Sequence, residues 1–395
     1  MEGSKSALIR KLTLIMIVTY VSFAPMSYFS VLLRNVGFDS RQLGLWNSLI
    51  GLTAMISLPF WGVFADKIRS PKKVWLITMV GYALIFGLLP LAGSLFPQTA
   101  IPLYVLILLY GLVKDPSHSM QDAWYIGMLT PIGISFASVR MWGSLSNGVL
   151  SIFSGFIVEK TGINPFFWSV PVLMIPVIFF SLRFKDAGSD ANNAAERPAR
   201  VKIKPWILFK NYRFVTSLFM TLALSIYMTM TNSFFPFILE SANVDPERYG
   251  LLSGYSLLIQ VGSMFVITRF LKKVPDHKIL IFAGIVAVIE NIVYGLSTNF
   301  FMLFVASTLW GIEISVFATV LPSYTQGLVD PKYAATAQSI KSSTSMLLMV
   351  IGNLIGGNLI AAYGIRSYNF GIAAFQGLLV LLFALSIPIG KRLKL

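Results

Sequence analysis

In the stretch MQDAWYIGMLTPIGISFASVRMWGSLSNG, Met120 to Gly148, an acid and a base, Asp122 and Arg140, stand inside two otherwise apolar runs. A charge at bilayer depth costs about 2.5 kcal/mol or more, so such residues face a partner or a cavity. Between them the Gly- and Pro-containing segment YIGMLTPIGIS reads as a turn. An acid late on one helix and a base early on the next meet in a helical hairpin. The pair either neutralises itself as a structural salt bridge, or offers a ligand a fork of N–H donors beside a carboxylate acceptor. Spacing alone leaves both open. Three more ionisable groups fall in apolar runs: Glu290 in AVIENIVYG, Glu313 in LWGIEISVF, and Lys341 just after YAATAQSI. A carboxyl in apolar surroundings suits a carrier that must be protonated near neutral pH. The plainer alternative is a carboxylate paired within a bundle, and Lys341 beside Glu313 or Glu290 would mirror Asp122 and Arg140. Ahead of Asp122, His118 lies between Asp115 and Asp122, which are about two helical turns apart on one face. These residues either line a watery vestibule and relay protons or cap the backbone around Pro116.

Such groups need apolar elements to hold them. Of 395 residues, 56% are hydrophobic and 12% charged, and the charges gather in short runs between long charge-free stretches. A spanning helix takes about 20 apolar residues. The apolar stretches supply twelve once 74–113 is divided at GSLFPQTAIP and 278–326, whose two helices each carry one glutamate, at Ser297–Asn299. A membrane barrel would instead show strands of about ten residues with alternating polarity. The expected fold is an all-α membrane protein of twelve transmembrane helices in two six-helix bundles, 1–184 and 205–395. The segment 185–204 between them is small, polar and charged, which cannot form a core, and reads as a linker. After it, PWILFKNYRF mixes aromatics with Lys210 and Arg213, as a short helix at a membrane interface does. Leu12–Leu33 reads as a retained first span, because no small-residue cleavage site closes the run. A six-linker-six layout is that of transporters built from two parallel repeats, with the solute near midplane between the halves.

With the helices alternating, Lys and Arg gather on the side that holds Lys5, Lys11, Lys67, Lys72, the 183–213 region, Lys273 and Lys391. By the positive-inside rule that side, with both termini, is cytoplasmic. The net charge of +15 thereby reflects topology and contact with anionic lipid, not nucleic acid, for which no folded basic domain exists. Two histidines, no cysteine and no clustered carboxylates leave no metal set. No G-x-x-x-x-G-K-[ST] loop or nucleophile–base constellation is present, so neither an ATP-driven pump nor an enzyme is expected, and no cofactor. The expected partners are a small solute, protons and membrane lipid, with the chain acting as a monomer.

At the end of the second span stands GVFADKIRSPKK, with Gly62, Asp66, Lys67, Arg69 and Lys72. The pattern G-x-x-x-D-[RK] followed by basic residues resembles the loop between helices two and three of the major facilitator superfamily. Gly62, one turn before Asp66, would admit a neighbouring helix, while Asp66 would pair with a cation or cap a helix end. The alternative is an ordinary Asp and Lys flanking a helix end. Arg69 stands where the superfamily usually has glycine, and Ser70–Pro71 lengthens the loop.

QDAW followed by SVRMWGS is similar to the lactose permease group, the oligosaccharide–proton symporters of that superfamily. SYFSVLLRNVGFDSRQLGLWNSL and YAATAQSI extend the likeness over most of the chain. The resemblance implies that Asp122 and Arg140 bind solute hydroxyls, with Asp in place of the group's Glu. It places Glu313 where the group carries its proton-exchanging glutamate. Glu290 stands where the group has an arginine, Trp310 where it has a histidine, and Asn147 where a tryptophan stacks on galactose. The implied solute-binding set is Asp122, Arg140, Asn147 and Trp310, and the implied proton-coupling set is Glu313, Glu290, Lys341 and His118. The implied activity is proton-coupled import of a sugar, nucleoside or related compound across the bacterial inner membrane. Proton antiport of drugs or metabolites is the alternative, although the exporters' Gly-Pro motif is missing from MWGSLSNGVLSIFSGFIVEKTG.

Overall fold

The computed structural model describes residues 2–95, 101–184, 205–270, 273–330 and 333–392. The linker 185–204 therefore lies outside the described residues. With no water in the hydrocarbon core, a spanning backbone has to bond to itself, and the apolar runs accordingly close into helices.

The first unit holds α1 (Glu2–Ser22), the greater part of α2 (Ser40–Ile68, whose residues 40–48 group with the second unit), α3 (Pro71–Leu95), α4 (Ile101–Leu129), α5 (Phe136–Thr161) and α6 (Ile163–Leu182). The second holds α7 (Tyr212–Ile226), α8 (Tyr249–Phe270), α9 (Asp276–Leu296) and α10 (Phe300–Gly327). Its last helical stretch, Ala334–Arg392, bends at Gly364 (φ 78°, ψ 163°), giving α11 over 334–363 and α12 over 365–392. Among the described residues nine helices are long and apolar enough to cross a membrane. The last of these is two spans joined at Gly364; α4, with its internal charges, and the interrupted α7 complete twelve.

Two spans are less regular than their hydropathy predicts. The first was expected as one run, Leu12–Leu33, but α1 ends at Ser22 and a 3₁₀ turn, Ala24–Tyr28, leads into a short helix, Phe29–Asn35. Pro25 has no N–H to continue the α ladder. The seventh passes from α7 through a π turn, Tyr227–Thr231, and a 3₁₀ turn, Asn232–Phe234, into a helix Phe235–Ser241. A residue inserted into the ladder in this way re-aims its side chains, and π turns recur at functional sites for that reason. The expected interfacial helix after the linker is a 3₁₀ turn, Pro205–Lys210, with Trp206 exposed and Leu208 packed against Phe214 and Ala337.

The chain divides into two compact units, Met1–Gly37 with Leu49–Arg197, and Phe38–Ser48 with Pro198–Leu395. Within the first, Trp75 and Trp124 pack 5.0 Å apart between α3 and α4, and the Tyr125 hydroxyl donates to the Leu12 carbonyl at 2.9 Å. Gly143 of α5 lies so close to Met16 and Tyr20 of α1 that a Cβ would stand 2.9 Å from both. In the second unit Gly311 of α10 approaches Ile259 and Ser256 of α8 in the same way. Small residues at such crossings let helices pack where lipid gives no hydrophobic drive.

Candidate functional site

The first unit's polar centre grows from the α4–α5 hairpin. A 3₁₀ turn, Thr130–Ile132, and Gly133 (φ 74°) turn the chain, returning α5 beside α4. Arg140 Nη1 donates to Asp122 Oδ2, forming the ion pair that the spacing suggested. The pair is half-open, with side-chain exposures of 42% for Arg140 and 24% for Asp122. The Arg140 guanidinium lies 5.6 Å from the Phe136 ring, and the Tyr20 hydroxyl is within electrostatic reach of both charges. His118 sits against aromatic rings, 4.2 Å from Phe23 and 6.1 Å from Tyr20. Its packing belongs to α1 and the turn after it as much as to Asp115 and Pro116. Asn147, expected to contact solute, donates its amide to the Tyr20 carbonyl at 2.8 Å. That nitrogen fastens α5 to α1 beside the ion pair.

The second unit's polar centre is closed. Glu290 of α9 is 0% exposed and Glu313 of α10 is 1% exposed, and the two carboxyls meet. Among the described residues no N–H or O–H donates to any of their four oxygens. Lys341 does not supply the expected cation. Among the described residues it makes no ion pair with either glutamate, and its ammonium lies 5.8 Å from the Phe317 ring. The reason is geometric, since Phe317 follows Glu313 by one turn of α10, so Lys341 reaches the wrong level of that helix. Trp310 is 4.7 Å from Tyr227, which the π turn brings inward, and Tyr227 lies 6.3 Å from Tyr294. One residue from Glu290 the packing is satisfied. Asn291 donates to Gln376 Oε1 at 3.0 Å, Gln376 to the Ala223 carbonyl at 3.0 Å, and Thr231 to Asn291 Oδ1 at 3.3 Å.

The loop after α2 departs in part from its expected use. Among the described residues outside its own stretch of helix, no heavy atom lies within 4 Å of where a Cβ on Gly62 would stand, so Gly62 admits no close neighbour. Asp66 accepts the Arg69 N–H through its backbone carbonyl at 3.3 Å. Arg69 itself has φ 52°, a left-handed conformation that glycine takes without strain. The glycine usual at that position thus has a backbone reason, and this chain bears the strain. Lys72 is buried and its ammonium donates to the Leu182 carbonyl at 3.3 Å and to the Phe184 carbonyl, holding the end of α6. A cation there meets the negative end of a helix. Lys67 lies in the last turn of α2 and is exposed.

Tyr20, Tyr227 and Tyr294 escaped sequence reasoning. A signal existed for one of them, since Tyr294 follows Glu290 at helical i+4 spacing. Tyr20 and Tyr227 depend on the broken first and seventh spans.

The helices long and apolar enough to cross a membrane, nine by length and composition among the described residues, make this a multi-pass membrane protein. The chain belongs to the MFS_1 like family of the major facilitator superfamily, whose model matches residues 10–370. It is 23% identical over 360 residues to a sucrose permease of Escherichia coli, covering 88% of this chain and 85% of that one. It is 22% identical over 355 residues to a maltose permease of Geobacillus stearothermophilus, covering 87% and 86%. Its fold is similar to that of the nucleoside transporter NupG, with a TM-score of 0.80, 16% identity, and coverage of 96% of this chain and 98% of that one.

Proposed function

We propose that this secondary transporter imports a small polar solute, a sugar or a nucleoside, with protons by alternating access across the bacterial inner membrane, both termini cytoplasmic. The half-open Asp122–Arg140 pair carries the reading. A planar guanidinium and a carboxylate side by side match adjacent hydroxyls, the guanidinium donating and the carboxylate accepting. Tyr20 adds a hydroxyl within reach of both. Glu290 and Glu313 supply the ionisable groups for coupling, because a buried carboxyl without a donor is satisfied only when it carries a proton. The names of the sucrose and maltose permeases and of the nucleoside transporter support the solute class.

The test uses the purified protein in de-energised proteoliposomes, with external pH recorded as sucrose, maltose or uridine is added. Alkalinisation with one of the three identifies solute and symport together. Acidification on solute addition identifies antiport, and a signal that survives in Asp122→Asn removes the ion pair from the solute site.

A further inference from the structure

We propose that the coupling proton is held by a couple, shared between the carboxyls of Glu290 and Glu313, and not by Glu313 alone. The inference rests on the proton-coupled reading above and deepens it. A glutamate beside a fixed arginine can release its proton and remain neutralised in place. Here two carboxyls face each other across α9 and α10, almost wholly buried, with no donor to any of the four oxygens among the described residues.

The groups packed around the couple give no neutralising charge. From α9 comes Tyr294, buried and with its hydroxyl unpartnered. From the π turn after α7 comes Tyr227, and from α8 Tyr249, both within electrostatic range of Glu290 or of Tyr294. All three are neutral phenols. The nearest lysine on α11, Lys341, is engaged with the Phe317 ring. Two adjacent carboxylates in such surroundings cannot both be charged, whereas one proton placed between them makes one carboxyl a donor and the other its acceptor. That arrangement satisfies an otherwise orphaned pair. The proton consequently belongs to both residues, and its departure requires water or solute to reach the couple, since among the described residues no side chain stands ready to take over the charge.

The solute-free test is infrared difference spectroscopy of the reconstituted full-length protein across a pH step, following the C=O band of protonated carboxyls. For a shared proton, Glu290→Gln and Glu313→Gln each displace the band, because each changes the partner of the remaining carboxyl, and the double Gln variant loses it. A band left in place by Glu290→Gln and removed by Glu313→Gln overturns the couple in favour of Glu313 alone. Should Glu290→Gln fail to fold, Glu290→Asp answers the same question, displacing the band of a couple and leaving that of a solitary Glu313 unmoved. In transport, each single Gln variant loses solute-driven alkalinisation but retains counterflow, which needs no net proton movement. Alkalinisation at the wild-type rate in Glu290→Gln overturns the proposal. A wild-type protein that alkalinises with none of sucrose, maltose or uridine overturns the symport reading instead, and the infrared result still decides the couple.

Discussion

The two units solve the cost of buried charge in opposite ways. In the first, Asp122 and Arg140 bring opposite charges from adjacent helices and leave both partly open. In the second, Glu290 and Glu313 bring like groups from adjacent helices and seal them completely. An open pair of opposite charge keeps donors and an acceptor ready for a polar ligand without exposing an uncompensated ion. A closed pair of acids cannot stay charged, so it responds to protons rather than to hydroxyls. Under the proposed function, one fold divides recognition from coupling by charge sign and access.

The sharpest way to break that contrast is Arg140→Ala. It leaves Asp122 without its partner and should lower uptake on the order of 100-fold, the consequence of truncating one side of a charged hydrogen-bonded pair. Counterflow of the transported solute should fall with it, which separates this variant from the glutamate variants; retained counterflow would place recognition elsewhere. A smaller effect is expected where α1 meets the ion pair. Gly143→Val drives a side chain into Met16 and Tyr20 and should destabilise the protein by about 1–3 kcal/mol, seen as a lower Tm in detergent. Gly62→Ala meets open space inside α2 and should raise Tm, by the helix propensity of about 0.5–1 kcal/mol, which separates a packed glycine from an unpacked one.

Next comes Lys72→Met, which releases the α6 carbonyls and should cost about 1–2 kcal/mol by thermal unfolding, with Lys72→Arg recovering part. An unchanged Tm would show that the lysine's bonds to α6 are matched by water. The smallest expected effect is a gain. Arg69→Gly relieves a left-handed backbone at the expense of chain entropy and should stabilise by about 0.5 kcal/mol.

Much of the fold was legible because a bilayer imposes length and composition on every span. The turn at Ser297–Asn299 is an instance: α9 ends at Leu296, and Asn299 caps α10 by accepting the Met302 N–H at 3.1 Å. The Asp122–Arg140 pair was legible as well, since a short turn forces neighbouring helices into a hairpin. Lys341 was not. Its place depends on the rotation of α11 against α10, which sequence separation leaves undetermined, and it lands one turn from the acids. The tie that Asn147 makes to α1 through its amide nitrogen was not legible either, because it depends on the close approach at Gly143 that brings the Tyr20 carbonyl within reach.

By itself the chain of residues determined that twelve helices would cross a membrane, which of them would carry charge, and that an acid and a base would meet across one hairpin. Those outcomes follow from local rules: apolar length, turn chemistry and the reach of adjacent helices. Only the tertiary structure decided that two glutamates would face each other without a cation and that broken spans would turn Tyr227 inward. It alone decided that Lys72 would hold a helix end. Each of these depends on how helices distant in sequence rotate and approach, a matter of packed surfaces that no local pattern encodes.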